Sequence, residues 1–386
     1  MSEAGSYKRS LGLFELVSLG VGGTIGSGIF VVPGVAAKLT GSWSLLAWVI
    51  VALSASCVLL SLAYVSSQFT SSNSFYILFK SVFGARFAVP LIILYLISSV
   101  FGVSTIAAGI GQYITWFGVS NVLLIEIVII GAFCWLNITG ISFSGMTENI
   151  LTTLKIIPLV MIAFLLIPFI NVGNFSPTTP LTVTGLLATI IIVYWPFTGF
   201  EISAIPVEET RDPALIRRSL IIVMGIVVTL YLLLNVSLIG SVGSEALAAS
   251  PAPVATAAGI LLTQSGTLIA CIGIVAMLSA INAYIVGTSR VIQSMSSEFF
   301  IPVLRNLNSK GTPAPALITG CAVSGGLLLF SNHFDQLATI SVITTLIPYI
   351  FFCLASWVLV KDTKARLISA SGAISTSLIL IVYFIA

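Results

Sequence analysis

Eleven stretches of mostly apolar residues follow one another along the chain, at roughly 12–37, 43–66, 87–117, 121–141, 149–172, 183–209, 216–242, 266–297, 314–331, 335–360 and 365–385. A helix needs about 20 such residues to cross the roughly 30 Å of hydrocarbon in a bilayer, where no water satisfies an exposed backbone. Strands of a membrane barrel would be about ten residues long and would alternate, which these stretches do not. Only 7% of the 386 residues are charged, against roughly 25% in an average soluble domain. The pattern predicts an all-α integral membrane protein, one transmembrane domain over 1–386 embedded in the lipid bilayer. Between the seventh and eighth stretches, "SPAPVATAAGILLTQSG" is apolar but short and proline-led. It predicts a re-entrant or surface helix, not a span.

Lysine and arginine orient the spans. With the N-terminus inside, Lys8, Arg9, Lys80, Arg86, Lys155, Arg211, Arg217, Arg218, Arg290, Arg305, Lys310, Lys361, Lys364 and Arg366 fall on the cytoplasmic side or at adjacent helix ends, fourteen of fifteen. Only Lys38 falls outside, and such a bias sets topology. The expectation is a multi-pass protein of the cell membrane with a cytoplasmic N-terminus. The first apolar run is too long for a signal peptide and lacks a small-residue cleavage site, so it is expected to stay in the mature protein.

Several classes are excluded early. A net charge of +3 is too small to suggest nucleic acid, and the five cysteines lie in apolar runs without metal-like spacing, where they read as small packing residues. With His333 as the only histidine, set in an outer loop, no metal site and no cofactor is expected. An intramembrane hydrolase would need a paired nucleophile and base, but the acids Glu126 and Glu201 stand far apart in sequence with no histidine nearby. A channel would show rings of charge or a repeated filter.

The first stretch contains "GTIGSGIF", Gly23 to Phe30, part of a run carrying Gly20, Gly22, Gly23, Gly26 and Gly28. No strand precedes it and the spacing is wrong for a nucleotide-binding fingerprint. Two readings remain: close helix packing, or an unwound backbone turned toward a cavity. The sixth stretch, "VYWPFTGFEISAIP", places Pro196, Gly199 and the ionisable Glu201 mid-span. An intramembrane carboxylate is costly unless it faces a polar interior. Interrupted segments one and six, five helices apart, point to a five-plus-five inverted-repeat transporter that binds its substrate at the breaks. The repeats would be 12–172 and 183–360, with 365–385 as an additional eleventh helix. The half-helix starting after the first break offers free N–H groups and a positive dipole end to a carboxylate. Carbonyls freed around Thr24 and Thr198 suit an ammonium. Together they describe the two ends of an amino-acid zwitterion.

At these residues the chain resembles the amino acid–polyamine–organocation transporter superfamily. The resemblance is carried by "GTIGSGIFVVPG", "NSFYILFKSVFGARFAVP", "LTTLKIIPL", "WPFTGFEISA", "GTSRVIQSMSSEFFIPVLRNLNSKGTPAPA" and "VITTLIPYIFF", in order along nearly the whole chain. It implies a leucine-transporter-like fold with discontinuous helices 1 and 6, in which segments 1, 2, 6 and 7 form a bundle that rocks against a scaffold. It implies that Ser27 and Gly28, directly after Thr24, Ile25 and Gly26 of the same substrate-binding stretch, hold the substrate carboxylate. Carbonyls near Thr24, Trp195 and Thr198 would take the amino group, Gly199 would belong to the same substrate site, and Trp195 would close over the substrate; without the motif, Trp195 reads as a packing aromatic. Glu201 matches an acid implicated in gating or proton response, against the plainer reading of a carboxylate that staples helices. The side-chain pocket is expected on segments 3, 6, 8 and 10, including Ser104, Phe200, Ile281 and Thr344 or its neighbours, which are mostly neutral. Asn282 stands where some polyamine and arginine exchangers have tryptophan, which weakens the case for a guanidinium substrate.

Lys155, about two turns into the fifth stretch, reads on position alone as a lysine snorkelling to the interface. The resemblance implies another role, since proton-coupled relatives place a lysine there in place of a sodium ion. It would bridge carbonyls of the broken first helix to hydroxyls such as Ser279 or Thr288. The expected function is a secondary active amino-acid transporter working by alternating access, proton-coupled and sodium-independent, with a neutral substrate. An amino acid/polyamine exchanger of the same family is the alternative, with a substrate-sensing receptor or channel on this fold behind it. Most relatives have twelve helices where eleven are counted here, so the oligomeric state is left open.

Overall fold

A computed structural model describes residues 12–66, 74–140, 145–177, 180–201, 210–212, 214–296, 298 and 300–385. Lys8, Arg9 and the end of the sixth stretch after Glu201, residues 202–209, lie outside them. The helices run α1 (Leu13–Thr24), α2 (Ser27–Thr40), α3 (Ser44–Val65), α4 (Ser74–Phe83), α5 (Ala85–Thr115), α6 (Leu123–Ile138) and α7 (Gly145–Leu165). They continue as α8 (Val183–Tyr194), α9 (Ala214–Ala249), α10 (Pro253–Ala258), α11 (Thr263–Ser294), α12 (Ala314–Phe330), α13 (Phe334–Leu359) and α14 (Thr363–Ile385). Among the described residues, 7 helical stretches are long and apolar enough to cross a membrane, and three apolar helices are shorter. The first of the long stretches, Leu13–Val65 at 53 residues, contains two of the segments counted in the sequence. Every predicted segment therefore has its helix.

Two helix groups surround the centre. The pair α1 and α2, with α3, packs around α9, and α8 lies against α2 and α3, while α5, α6, α11 and α12 form a second group. Helix α13 lies along α5 and also touches α3 and α14. Large apolar side chains such as Leu53, Leu124, Trp135, Leu268 and Phe384 point outward. In water each would cost about 25 cal/mol per Å² of apolar surface, a cost that disappears in hydrocarbon.

The proline-led run is short, as expected, but takes only one of the two expected forms. Helix α10 is not a surface helix: Pro253, Val254, Ala255, Ala257 and Ala258 are buried, and the helix packs on α2, α9 and α11. It follows a break in α9 at Gly243 (φ 79°, ψ 160°) and presses on the end of α2. A Cβ at Gly34 would come within 2.9 Å of the Leu247 carbonyl oxygen. Apolar, well-packed residues make this a cap within the protein.

Candidate functional site

Both predicted interruptions are present and face one another. Helix α1 ends at Thr24, Ile25 (φ −82°, ψ 84°) and Gly26 (φ −123°, ψ −140°) leave the helical region, and α2 starts at Ser27. In the sixth segment α8 ends at Tyr194, Pro196 sits in a 3₁₀ turn over Trp195–Phe197, and Thr198 is extended. Gly199 follows at φ +92°, where a Cβ would lie 2.9 Å from the Gly23 carbonyl oxygen; only glycine takes that conformation without strain. The two readings of the first stretch apply to different residues. Unwinding occurs at Ile25 and Gly26, whereas Gly28 is a close-packing position whose Cβ would lie 2.6 Å from Pro196 Cα.

A small cavity of about 10 Å³ lies between the breaks, lined by Thr24, Gly26, Ser27, Gly28, Trp195 and Thr198 from the interrupted segments and by Ile106, Ala280 and Tyr284 from α5 and α11. A water needs about 10–15 Å³, so the cavity in this conformation holds one water at most. The Trp195 indole N–H donates to Ser27 Oγ at 3.2 Å, and its ring lies 6.0 Å from that of Tyr284. The Tyr231 hydroxyl stands 3.1 Å from both the Thr24 and Pro196 carbonyl oxygens, held edge-on by Trp48 and Phe197. The Trp195 carbonyl accepts from the Thr198 N–H at 3.1 Å and from its hydroxyl at 2.8 Å. Donors at the start of α2 thus stand opposite a group of backbone acceptors.

Of the predicted residues, Thr24, Gly26, Ser27, Gly28, Trp195 and Thr198 line this cavity together. Others stand apart. Ile25 and Ile281 are fully buried beside it, and Ser104 turns to α12, donating to the Ser324 carbonyl at 2.8 Å. Phe200 packs on Tyr349 with ring centres 5.3 Å apart. Thr344 bonds within its own helix, while its neighbour Thr345 lines the second cavity described below. Asn282 accepts from Asn137 at 2.8 Å. Sequence reasoning missed Tyr284 and Tyr231; the available signal was a tyrosine inside an apolar span, whose hydroxyl must find a partner.

Because Trp195 covers the Ser27 hydroxyl, Trp195→Ala is expected to weaken substrate binding by roughly tenfold or more, as loss of a buried aromatic anchor does. Trp195→Phe keeps much of the ring area and should retain part of the affinity. A thermal-shift titration of both variants measures this, and wild-type affinity in the alanine variant would reduce Trp195 to a packing residue.

Glu201 borders that second cavity, of about 20 Å³, with Tyr95, Thr198, Tyr284, Thr288 and Thr345 among its neighbours, enough for about one water. Its carboxylate accepts from Tyr95 at 3.2 Å, from Tyr349 at 2.8 Å and from the Gly199 N–H at 3.1 Å. It therefore ties the second break to α5 and α13. The Thr288 hydroxyl has no hydrogen-bond partner and lines this cavity, so of the two hydroxyls expected near Lys155, Ser279 or Thr288, the second does not bond to it.

Lys155 is 1% exposed, and its Nζ donates to the Gly22 carbonyl at 2.6 Å. Helix α7 reaches that point because it packs against both α1 and α11. The side chain is not snorkelling to an interface, so Lys155 drops out of the charges that mark the cytoplasmic side. It meets the broken first helix two residues before Thr24.

Comparison with known proteins bears on this arrangement. The family description "Amino acid permease" matches residues 11–386. The chain is 26% identical over 392 residues to the branched-chain amino acid permease BcaP of Bacillus subtilis (strain 168), covering 92% of this chain and 82% of that protein. It is also 26% identical over 315 residues to the inner membrane transport protein YbaT of Escherichia coli (strain K12), covering 79% and 73% of the two. The crystal structure of MhsT in complex with L-phenylalanine has a similar fold, with a TM-score of 0.72 at 14% identity, covering 98% of this chain and 99% of that one.

Proposed function

Because the chain belongs to the amino acid permease family, we propose that it is a secondary active transporter that carries a neutral amino acid by alternating access, coupled to protons and independent of sodium. The observation that carries this reading is the facing pair of breaks, with Ser27 and the first turn of α2 on one side and the carbonyls of Thr24, Trp195 and Pro196 on the other. A carboxylate suits the first group and an ammonium the second. The repeats are 12–172 and 183–360, and the bundle of α1, α2, α3, α8 and α9 moves against the remaining helices.

A neutral side chain is supported by the walls. Ile106, Ala280, Trp195 and Tyr284 bound the central cavity, and no acid or base lines it; a charged side chain would need an opposite charge or open aromatic faces. The name of the Bacillus relative and the ligand of the structural neighbour both concern apolar amino acids, which supports the same choice. Protons are assigned as the coupling ion because Lys155 places an ammonium beside the first break, where a metal cation would have to compete with it.

Purified protein in proteoliposomes tests the reading: uptake of each of the twenty amino acids is measured with an inward proton gradient, in sodium and in potassium buffers. Accumulation of an apolar amino acid that is equal in both buffers and collapses with the proton gradient is expected. Binding without flux would make the chain a receptor instead.

Glu201 is assigned a part in the proton response, and Glu201→Gln is expected to flatten the dependence of uptake on pH. Glutamine also replaces one acceptor oxygen with a donor amide, so a tyrosine or the Gly199 N–H loses its partner and stability falls by about 1–3 kcal/mol. A lowered melting temperature with an unchanged pH profile would leave Glu201 as a structural tie alone.

A further inference from the structure

A third cavity, of about 290 Å³, lies beside the loop between α12 and α13 and shares no lining residue with the two central cavities. Its walls include Glu126 from the first turn of α6, Asp335 from the first turn of α13, and the apolar side chains of Val35, Val122 and Phe334. Glu126 is 1% exposed, and its Oε2 has no hydrogen-bond partner. The carboxyl group is seated against the backbone of α5 at Gly111, where any Cβ would collide with Oε1. A carboxylate only accepts, and one held out of water without a donor is strongly disfavoured.

The protein supplies little to balance this charge. Among the described residues no lysine or arginine lines the cavity, and Asp335 adds a second acid. The basic side chain on the wall is His333, which is exposed in the loop. The amide nitrogen of Gln112 spends one of its two N–H donors on the Pro251 carbonyl, at 3.1 Å. A metal ion fits poorly, because no group of three or more His, Cys, Asp or Glu among the described residues is placed to hold one. A cation with its own short apolar body suits the mixed wall, where the Phe334 ring and two valines border the acids. Its N–H groups would supply the donors that Glu126 lacks.

We infer that this cavity is a binding site for small primary amines, with the Glu126 carboxylate holding the ammonium group. The site goes beyond the transport reading and does not depend on it. Isothermal titration of the full-length purified protein with isopentylamine, at constant ionic strength, tests it. Saturable binding is expected, weakened by roughly tenfold or more in Glu126→Gln and by about two- to threefold in Asp335→Asn, as fits a buried and an exposed partner charge. Equimolar 4-methylpentanoate, which has the same kind of body but no ammonium, should not compete. Trp195→Ala, altered in the central cavity, should bind the amine within about twofold of wild type, so failure of the central-site reading and failure of this one give different results. Wild-type affinity in a Glu126→Gln protein with an unchanged melting temperature would overturn the inference. Loss of amine binding in Trp195→Ala would do the same by placing the amine between the broken helices. Should Glu126→Gln not fold, an unchanged affinity in Asp335→Asn counts against the site equally, since that side chain is exposed.

Discussion

Lys155→Ala is expected to abolish uptake driven by an inward proton gradient while leaving substrate binding in place. The Lys155 ammonium is buried, 1% exposed, and reaches the Gly22 carbonyl at 2.6 Å. It lies outside the residues that line the central cavity, so a bound substrate does not need it. On the proposed reading the state of the first break does: the protonated lysine holds the end of α1 to α7 more strongly than the neutral one. A hydrogen bond to a charged group contributes about 1.5–3 kcal/mol, and the loss of that bias changes the ratio of two conformations by roughly tenfold or more. Lys155→Met, close to lysine in volume, separates the lost charge from the lost packing and should show the same defect. Initial rates in proteoliposomes, paired with thermal-shift titration of substrate, provide the measurement. Sodium-stimulated uptake by the wild type, or full proton-driven uptake by either variant, would remove Lys155 from the coupling mechanism.

Gly28→Val is expected to lower the melting temperature by several degrees and to abolish binding at the same time. The added Cβ alone would stand 2.6 Å from Pro196 Cα and 2.9 Å from two atoms of its ring. A backbone atom cannot step aside as a flexible side chain does, so α2 and the 3₁₀ turn at Trp195–Phe197 must separate. Overpacking of this kind costs about 1–3 kcal/mol or more. The separation also moves Trp195 away from Ser27, which it contacts at 3.2 Å. Gly28→Ala introduces the same Cβ with no further bulk and should show a smaller loss in the same direction. An alanine variant that melts with the wild type would show that the two segments have slack where the structure has contact.

The spans were legible because each is a long apolar run, and the breaks because Gly26, Pro196 and Gly199 are residues a continuous helix disfavours. The meeting of the breaks followed from the repeat pattern. What sequence does not encode locally is the direction a side chain takes around a helix. Ser104, expected in the pocket from the third segment, faces α12, and Ile106, two residues on, lines the cavity instead. Ile281 was chosen on α11, whereas Ala280 and Tyr284, four residues apart on one helical face, do the lining. Lys155 was ambiguous for another reason. Its depth in the span permits both snorkelling and burial, and only the packing of α7 between α1 and α11 decides. His333 and Glu126 are far apart in sequence but border one cavity, a juxtaposition made by the α12–α13 loop.

The Tyr231 hydroxyl, 3.1 Å from the carbonyls of Thr24 and Pro196, has a chemical consequence for selectivity. One hydroxyl carries one proton, so at any instant at most one of these two oxygens is fully served by it. The Thr24 oxygen also receives the Gly26 N–H at 3.0 Å, which leaves the Pro196 oxygen as the poorer served of the two. A substrate amine arriving there competes against a neutral phenol, and a charge-assisted bond is roughly twice as strong as a neutral one. On the proposed reading, the tyrosine is a displaceable stand-in for the ammonium group of the substrate. Each methyl added to the substrate nitrogen removes a donor from that contest, so the reading expects discrimination against N-methylated and desamino analogues from a side chain on the seventh segment, outside the interrupted helices.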